Sequence, residues 1–165
     1  MDKLTKEQRS KCMRAVKGRD TKPEMWVRRY LFALGFRYRL NVRCLPGKPD
    51  IVLKKYKTVV FVNGCFWHGH EDCQLYRLPQ TNVDFWKAKI ERNRARDLKD
   101  EILLRSMGWH VIVIWECELR TKVKREQTLA SLAYTLNHIY LLNHGAKPYA
   151  DQESSFSIAA EDPAG

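Results

Sequence analysis

The chain has 165 residues, enough for one compact domain with a real core and too few for two comfortable ones. Hydrophobic residues make up 44%, which excludes a disordered chain, and the longest apolar runs fall far short of the ~20 residues that cross a bilayer. A net charge of +11 and a pI near 9.6 point to a polyanionic partner. That partner is not a membrane, because no basic amphipathic stretch with a strongly apolar face stands out.

Met1 leads into Asp2-Lys3-Leu4-Thr5-Lys6 with no apolar stretch resembling a secretory signal, so the expected setting is the cytoplasm. Residues 1–20 are polar and basic without a sustained period, which predicts an arm or short helix. Thr21-Lys22-Pro23-Glu24 fits a capping box, and Trp26, Val27, Tyr30, Leu31 and Leu34 follow at helical spacing until Gly35 stops the helix. Residues 36–42 alternate weakly, as an edge strand would, and Pro46-Gly47 signals a turn. Residues 50–53 and 58–62 are β-branched runs joined by Lys54-Lys55-Tyr56-Lys57, which predicts a hairpin. Cys65 to Cys73 leaves the second strand as a loop.

Asn82 or Asp84 caps a long helix ending at Met107-Gly108, charged nearly all round in its first half and carrying an apolar face of Ala95, Leu98, Ile102 and Leu103 in its second. Residues 109–115 read as a strand buried on both faces. A last helix over residues 124–142 puts Leu129, Leu132, Ala133, Leu136, Ile139 and Tyr140 on one stripe. Residues 144–165 set only Lys147 against Asp151, Glu153, Glu161 and Asp162, and are expected to form an acidic, disordered tail. The order predicts one α/β domain over residues 21–143, a mixed central sheet flanked by helices, between two tails.

Cys65-x4-His70-x2-Cys73 offers three soft metal ligands, and Cys117, directly after the 109–115 strand, offers a fourth at a sheet edge. Two or three thiolates with imidazole suit Zn2+, and four protein ligands make a closed, structural site. Cys65-x2-His68 is ligand spacing too, so spacing leaves either histidine as the ligand and the other available as a base. Cys12 and Cys44 have no such neighbours and read as ordinary thiols.

Asp50, after a Pro-Gly-Lys-Pro turn at a strand start, is the best ligand for a catalytic Mg2+. The next strand, Val59-Val60-Phe61-Val62-Asn63, lacks the acid-x-Lys of a usual restriction-type nuclease. Main-chain oxygen, water, Glu24 or His68 must fill that deficit, and an imidazole of pKa near ~6.5 can take a proton from water. The plainer roles are a helix-capping acid for Glu24, a turn-stabilising acid for Asp50 and a surface residue for His68. Phe66, Trp67 and Trp86, beside Lys87, Lys89, Arg92 and Arg96, suit base stacking with phosphate contacts, or alternatively a core.

Several blocks in fixed order carry a resemblance from about Arg9 to Arg120. They are Arg9-Ser10-Lys11-Cys12-Met13-Arg14-Ala15, Asp20-Thr21-Lys22-Pro23-Glu24 and Leu45-Pro46-Gly47-Lys48-Pro49-Asp50. Val60-Phe61-Val62-Asn63-Gly64-Cys65-Phe66-Trp67-His68-Gly69-His70, Phe85-Trp86 and Trp115-Glu116-Cys117 follow. The chain resembles the Vsr-type mismatch endonucleases of very short patch repair.

The resemblance implies a restriction-endonuclease-like fold and an enzyme that nicks double-stranded DNA beside T:G mismatches arising when 5-methylcytosine deaminates. It implies that Asp50 binds Mg2+ with the main-chain oxygen of Val62, that His68 activates water, and that Glu24 assists. Cys65, His70, Cys73 and Cys117 would hold zinc, and Phe66, Trp67 and Trp86 would wedge into the duplex. Lys87, Lys89, Arg92, Arg96 and Arg14 would contact the DNA. A monomer working at the bacterial nucleoid, with contacts to other repair proteins, is implied as well. The family has Thr-His where this chain has Val62-Asn63. A main-chain ligand survives the change to Val, whereas a second proton-transfer role is lost with the His. Two rival readings remain: a zinc-stabilised DNA-binding module in which Asn63 marks a decayed active site, and a restriction-type nuclease cutting both strands of matched DNA.

Overall fold

The structure, a computed structural model, describes residues 5–145; the remainder of the expected acidic tail, from residue 146 on, lies outside the described residues. Helix α1 (Lys6–Ala15) opens with a capping box between Thr5 and Gln8, and the segment after it leads into α2 (Lys22–Ala33). A three-stranded sheet follows: β1 (Ile51–Leu53), β2 (Thr58–Asn63) and β3 (His110–Trp115), in spatial order β1-β2-β3. β1 and β2 pair antiparallel with Ile51 opposite Val60, and β2 and β3 pair parallel with Val60 opposite Ile112. The parallel pair needs a crossover, which α3 (Val83–Ser106) supplies. Helix α4 (Lys122–His144) closes the fold, and no helix among the described residues is long and apolar enough to cross a membrane.

Strand alternation divides the core in two. Ile51, Leu53, Val60 and Ile114 face α2 and α4, where they meet Val27, Leu31, Leu129, Leu132 and Leu136. Val52 and Val59 face the α3 side with Leu45 and Leu104. Each fully buried Leu, Ile or Val contributes roughly 1.5–3 kcal/mol, so the α2/α4 side holds most of the apolar stabilisation. The hairpin and the α4 stripe stand as expected.

Four expectations differ. Residues 36–42 form no strand: a single bridge links Arg39 to Val52, with N–H···O distances of 2.8 and 2.9 Å. Neither Asn82 nor Asp84 provides the expected cap, since Asn82 turns the chain at φ +53° without a side-chain bond to the helix. β3 is not buried on both faces; only Ile114 is buried, because β3 is an edge strand and a cavity of about 690 Å3 lies over Val111, Val113 and Trp115.

The fourth difference concerns α3. Its apolar face of Ala95, Leu98, Ile102 and Leu103 points outward, with Leu98 60% and Ile102 57% exposed. Ile90 and Leu104, four turns apart, mark the inward stripe instead, and Asn93, Asp97 and Asp100 lie between them. The inward face is polar at its middle because that stretch borders the site described next.

Candidate active site and metal cluster

The turn from Cys65 to His70 leaves the end of β2 and folds tightly, with His68 N–H donating to the Gly64 carbonyl at 3.2 Å and His70 N–H to the Cys65 carbonyl at 2.9 Å. Gly69 makes the turn close on α3. Its φ is +60°, and a Cβ there would stand 2.6 Å from Ile90 Cγ2 and 2.9 Å from Arg94 Cδ. Asn93 of α3 donates to the Trp67 carbonyl at 2.9 Å and fixes the turn from the other side.

His68 and His70, on either side of Gly69, are thereby aimed in different directions. His70 joins Cys65, Cys73 and Cys117, whose ligand atoms all lie within 4.8 Å of one another, with Cys117 Sγ 3.5 Å from His70 Nδ1. Tetrahedral ligation at Zn–S distances near ~2.3 Å needs ligand separations of about 3.5–3.8 Å, so a small contraction closes the cluster around one ion. Three sulfurs and one nitrogen form a donor set that fits a soft divalent metal. The His70 ring stacks flat on Trp115 at 4.1 Å, which holds it in place. Burial pushes the Cys65 thiol up to about 12. Cys73 is held below the ordinary thiol range, first by the backbone N–H of Leu75, and Cys117 is raised by burial. Cys117 enters the cluster from a 3-10 turn (Glu116–Leu119) directly after β3, as expected for parallel strands that end at one edge.

His68 is outside this cluster. Its Nδ1 lies 2.5 Å from Asp97 Oδ2, leaving Nε2 as the outward nitrogen of the ring. Asp97 had no sequence signal of its own; only the inward stripe set by Ile90 and Leu104 would have revealed it, two turns from each.

Asp50 stands at the mouth of β1, where its Oδ2 accepts the Val62 N–H at 2.7 Å. Burial raises its pKa to about 6, the Val62 bond opposes the rise, Glu24 adds to it, and Arg28 and His68 counter it. The mutual influence places Asp50, Glu24 and His68 in one electrostatic neighbourhood. Asp50 and His68 open onto adjoining cavities that share Lys48. The Asp50 cavity, about 510 Å3, is bounded also by Arg19, Glu24, Arg28 and Arg43, and the His68 cavity by Asn63, Asp97 and Trp115. Glu24 is 3% exposed and fully engaged: its carboxylate accepts from Arg28, from the Thr21 hydroxyl and from the Asp20 N–H. Helix α2 thus starts on the Thr21 side-chain cap and not on the expected capping box, because the Glu24 carboxylate is turned to Asp20, the Thr21 hydroxyl and Arg28. Arg28 is a second member of the site that spacing did not single out.

The aromatics meet at the junction of the turn and the start of α3. Phe66 lies 5.1 Å from Trp67 and 5.4 Å from Trp86, and Trp67 lies 6.0 Å from Trp86, all edge to face. Exposed Phe85 extends the ledge at 5.4 Å from Trp86. Lys89 Nζ lies 5.4 to 5.8 Å above the rings of Trp67, Trp86 and Phe85, a cation–π arrangement. Phe66, Trp67 and Trp86 are half-buried, so they belong to neither the core nor the open surface. Lys87, Arg92 and Arg96 line exposed positions of α3, and Arg14 is exposed on α1.

Comparison with known proteins identifies the family. A family profile described as DNA mismatch endonuclease Vsr matches residues 1–75. The type II nicking enzyme V.NmeAIP of Neisseria meningitidis is 52% identical over 121 residues, covering 73% of this chain and 86% of the relative. The DNA mismatch endonuclease Vsr of Escherichia coli is 43% identical over 123 residues, 74% of this chain and 76% of the relative. The type II nicking enzyme V.NaeI of Lentzea aerocolonigenes is 39% identical over 142 residues, 83% and 80% of the two chains. The chain, an α/β protein with an acid–histidine site beside a Cys/His cluster, belongs to the Vsr family of DNA endonucleases.

Proposed function

We propose that this protein is a Mg2+-dependent endonuclease with a restriction-endonuclease-like fold and a structural zinc ion, which nicks one strand of duplex DNA beside T:G mismatches left by 5-methylcytosine deamination. The observation that supports this reading is a strand-anchored carboxylate, Asp50, and an Asp97-oriented imidazole, His68, opening onto adjoining cavities that share Lys48, next to an aromatic ledge. Relatives named as nicking enzymes support cleavage of a single strand, and the relative named a mismatch endonuclease supports the mismatch as its target. Initiation of very short patch repair follows from that activity. We take the enzyme to act as a monomer at the bacterial nucleoid, with other repair proteins as its further contacts.

Asp50 and the Val62 main-chain oxygen would hold Mg2+, which would supply Lewis acidity at the scissile phosphate and charge stabilisation for the departing oxygen. His68 presents Nε2 to the attacking water and takes its proton as the new P–O bond forms and the bridging P–O bond breaks. Asp97 fixes the tautomer and orientation of that ring and stabilises the imidazolium. Glu24, with both oxygens engaged, acts through its charge on Asp50 and through the packing of the cavity wall, and the Asn63 amide has no titratable proton to transfer. Cys65, His70, Cys73 and Cys117 would hold the zinc, which would pin the turn to the end of β3 and so keep His68 against α3. Phe66, Trp67 and Trp86 wedge between base pairs, where stacking worth ~1–3 kcal/mol per base offsets the cost of opening a step. A T:G wobble opens at lower cost than a matched pair, which favours the mismatch.

The test is nicking of strand-labelled T:G and T:A duplexes with and without Mg2+. We expect one cut strand on T:G, strictly Mg2+-dependent, and at least about a hundredfold slower reaction on T:A. Equal cleavage of both duplexes, or cuts in both strands, would point to a restriction-type nuclease. Binding without cleavage would favour the non-catalytic module.

A further inference from the structure

Arg28 lies one turn along α2 from Glu24, and its side chain is 8% exposed. Its Nη1 reaches Asp20 Oδ1 at 2.5 Å and its Nη2 reaches Glu24 Oε2 at 2.7 Å. The buried Nε has no hydrogen-bond partner, and the residue borders the cavity that holds Asp50. A guanidinium does not shed its proton, and a buried one persists only where carboxylates face it. Apolar side chains of similar volume in place of both Glu24 and Arg28 would serve packing beside Val27 and Leu31 equally well, so stability alone does not explain a buried ion pair here.

The two carboxylates come from the two sides of a joint. Asp20 ends the segment that connects α1 to the body, adopts φ +55°, and donates its backbone N–H to Glu24 Oε2 at 3.0 Å. Its carboxylate is 62% exposed and holds Arg28 from the arm side. Glu24 holds Arg28 from the body side, and its remaining oxygen accepts the Thr21 hydroxyl at 2.9 Å. Residues 11–20 of the arm are all exposed, so between the contact of Arg9 on α1 with Thr81 and the start of α2 this joint is where the arm meets the body. The backbone and side chain of the hinge residue thus share one ion cluster with the wall of the Asp50 cavity. The positive charge of Arg28 also acts on Asp50 itself, favouring the ionised form.

We propose that Arg28 is a positioning residue for the nicking reaction, coupling the set of the N-terminal arm, through Asp20 and Glu24, to the carboxylate wall of the Asp50 cavity. An arm laid along bound DNA and a competent acid cluster then form together, and a displaced arm leaves the cluster loosened. This coupling rests on the reading of Asp50 as the catalytic carboxylate.

The experiment measures single-turnover nicking of a T:G duplex at saturating protein, DNA affinity, the half-saturating Mg2+ concentration and the thermal midpoint. The variants are Asp20→Asn, Arg28→Lys, the double variant and Asp50→Asn. Arg28→Lys keeps the charge but removes the rigid fork that bridges two carboxylates. Asp20→Asn removes one exposed charge and leaves folding intact. We expect Asp20→Asn to nick about tenfold slower and Arg28→Lys about ten- to hundredfold slower, as for loss of charge-assisted hydrogen bonds. Each should need several-fold more Mg2+ with DNA affinity unchanged, and the double variant should be no slower than Arg28→Lys alone.

Wild-type nicking by Asp20→Asn would overturn the coupling, as would losses that multiply in the double variant, or an Arg28→Lys loss that only follows its thermal midpoint. If Asp50→Asn is inert while Asp20→Asn is normal, the coupling fails and the catalytic reading stands. If Asp50→Asn nicks normally, the catalytic reading fails and the coupling falls with it.

Discussion

Asp50→Asn is expected to slow nicking by about a thousandfold or more while leaving T:G duplex affinity within about threefold, because the proposed metal ligand loses its charge and no proposed DNA-facing side chain changes. The same substitution is expected to stabilise the protein. Burial lifts Asp50 to about 6 in the folded state, against ~3.9 in an unfolded chain. Between about pH 4 and pH 6 the folded state therefore holds more protons than the unfolded state, and stability falls as pH rises through that window. Above it, the ionised carboxylate costs the Mg2+-free protein on the order of ~2–3 kcal/mol. Asn keeps an oxygen for the Val62 N–H and removes that cost. Its thermal midpoint at pH 7.5 without Mg2+ should exceed the wild-type value by several degrees, and the gain should vanish near pH 4. A wild-type nicking rate would remove Asp50 from the mechanism, and an unchanged midpoint at pH 7.5 would contradict the strained carboxylate.

Cys117→Ser should have the largest effect on stability. Cys117 joins the end of β3 to a turn 44 residues or more away in sequence, and the half of that turn from Gly69 to Cys73 carries no large apolar side chain to hold it there. Zinc binding is worth ~10 kcal/mol or more where folding depends on it, so loss of one ligand should lower the thermal midpoint by at least about 10 °C. Purified wild-type protein should contain about one zinc per chain and the variant well below that. Wild-type protein lacking zinc, or an unchanged midpoint in the variant, would contradict a structural metal.

What could be read from the sequence was local. Cys65, His70 and Cys73 point to a cluster that could hold a metal because they fall within one turn-sized segment, β2 stands out as a β-branched run, and the buried residues of α4 recur at helical spacing. What could not be read depended on which face an element turns inward. The apolar stripe of α3 suggested Leu98 and Ile102 as its buried side, yet both are exposed and the polar stripe with Asn93 and Asp97 is inward. A site that needs a carboxylate behind an imidazole overrides the usual apolar preference, and no periodicity announces that. Choosing between His68 and His70 likewise required the conformation of Gly69, which turns successive rings to different sides. Arg28 was hidden for the same reason: a charged residue on a buried helical face reads as an interruption until its two carboxylates are seen.

The central claim is that Asp97 and His68 act as one unit on the water that attacks the phosphate. The most direct measurement compares single-turnover nicking by His68→Ala, Asp97→Asn and the double variant. The account predicts a loss of about ten- to hundredfold for Asp97→Asn, a larger one for His68→Ala, and a double variant no slower than His68→Ala. Losses that multiply, or wild-type nicking by His68→Ala, would contradict it.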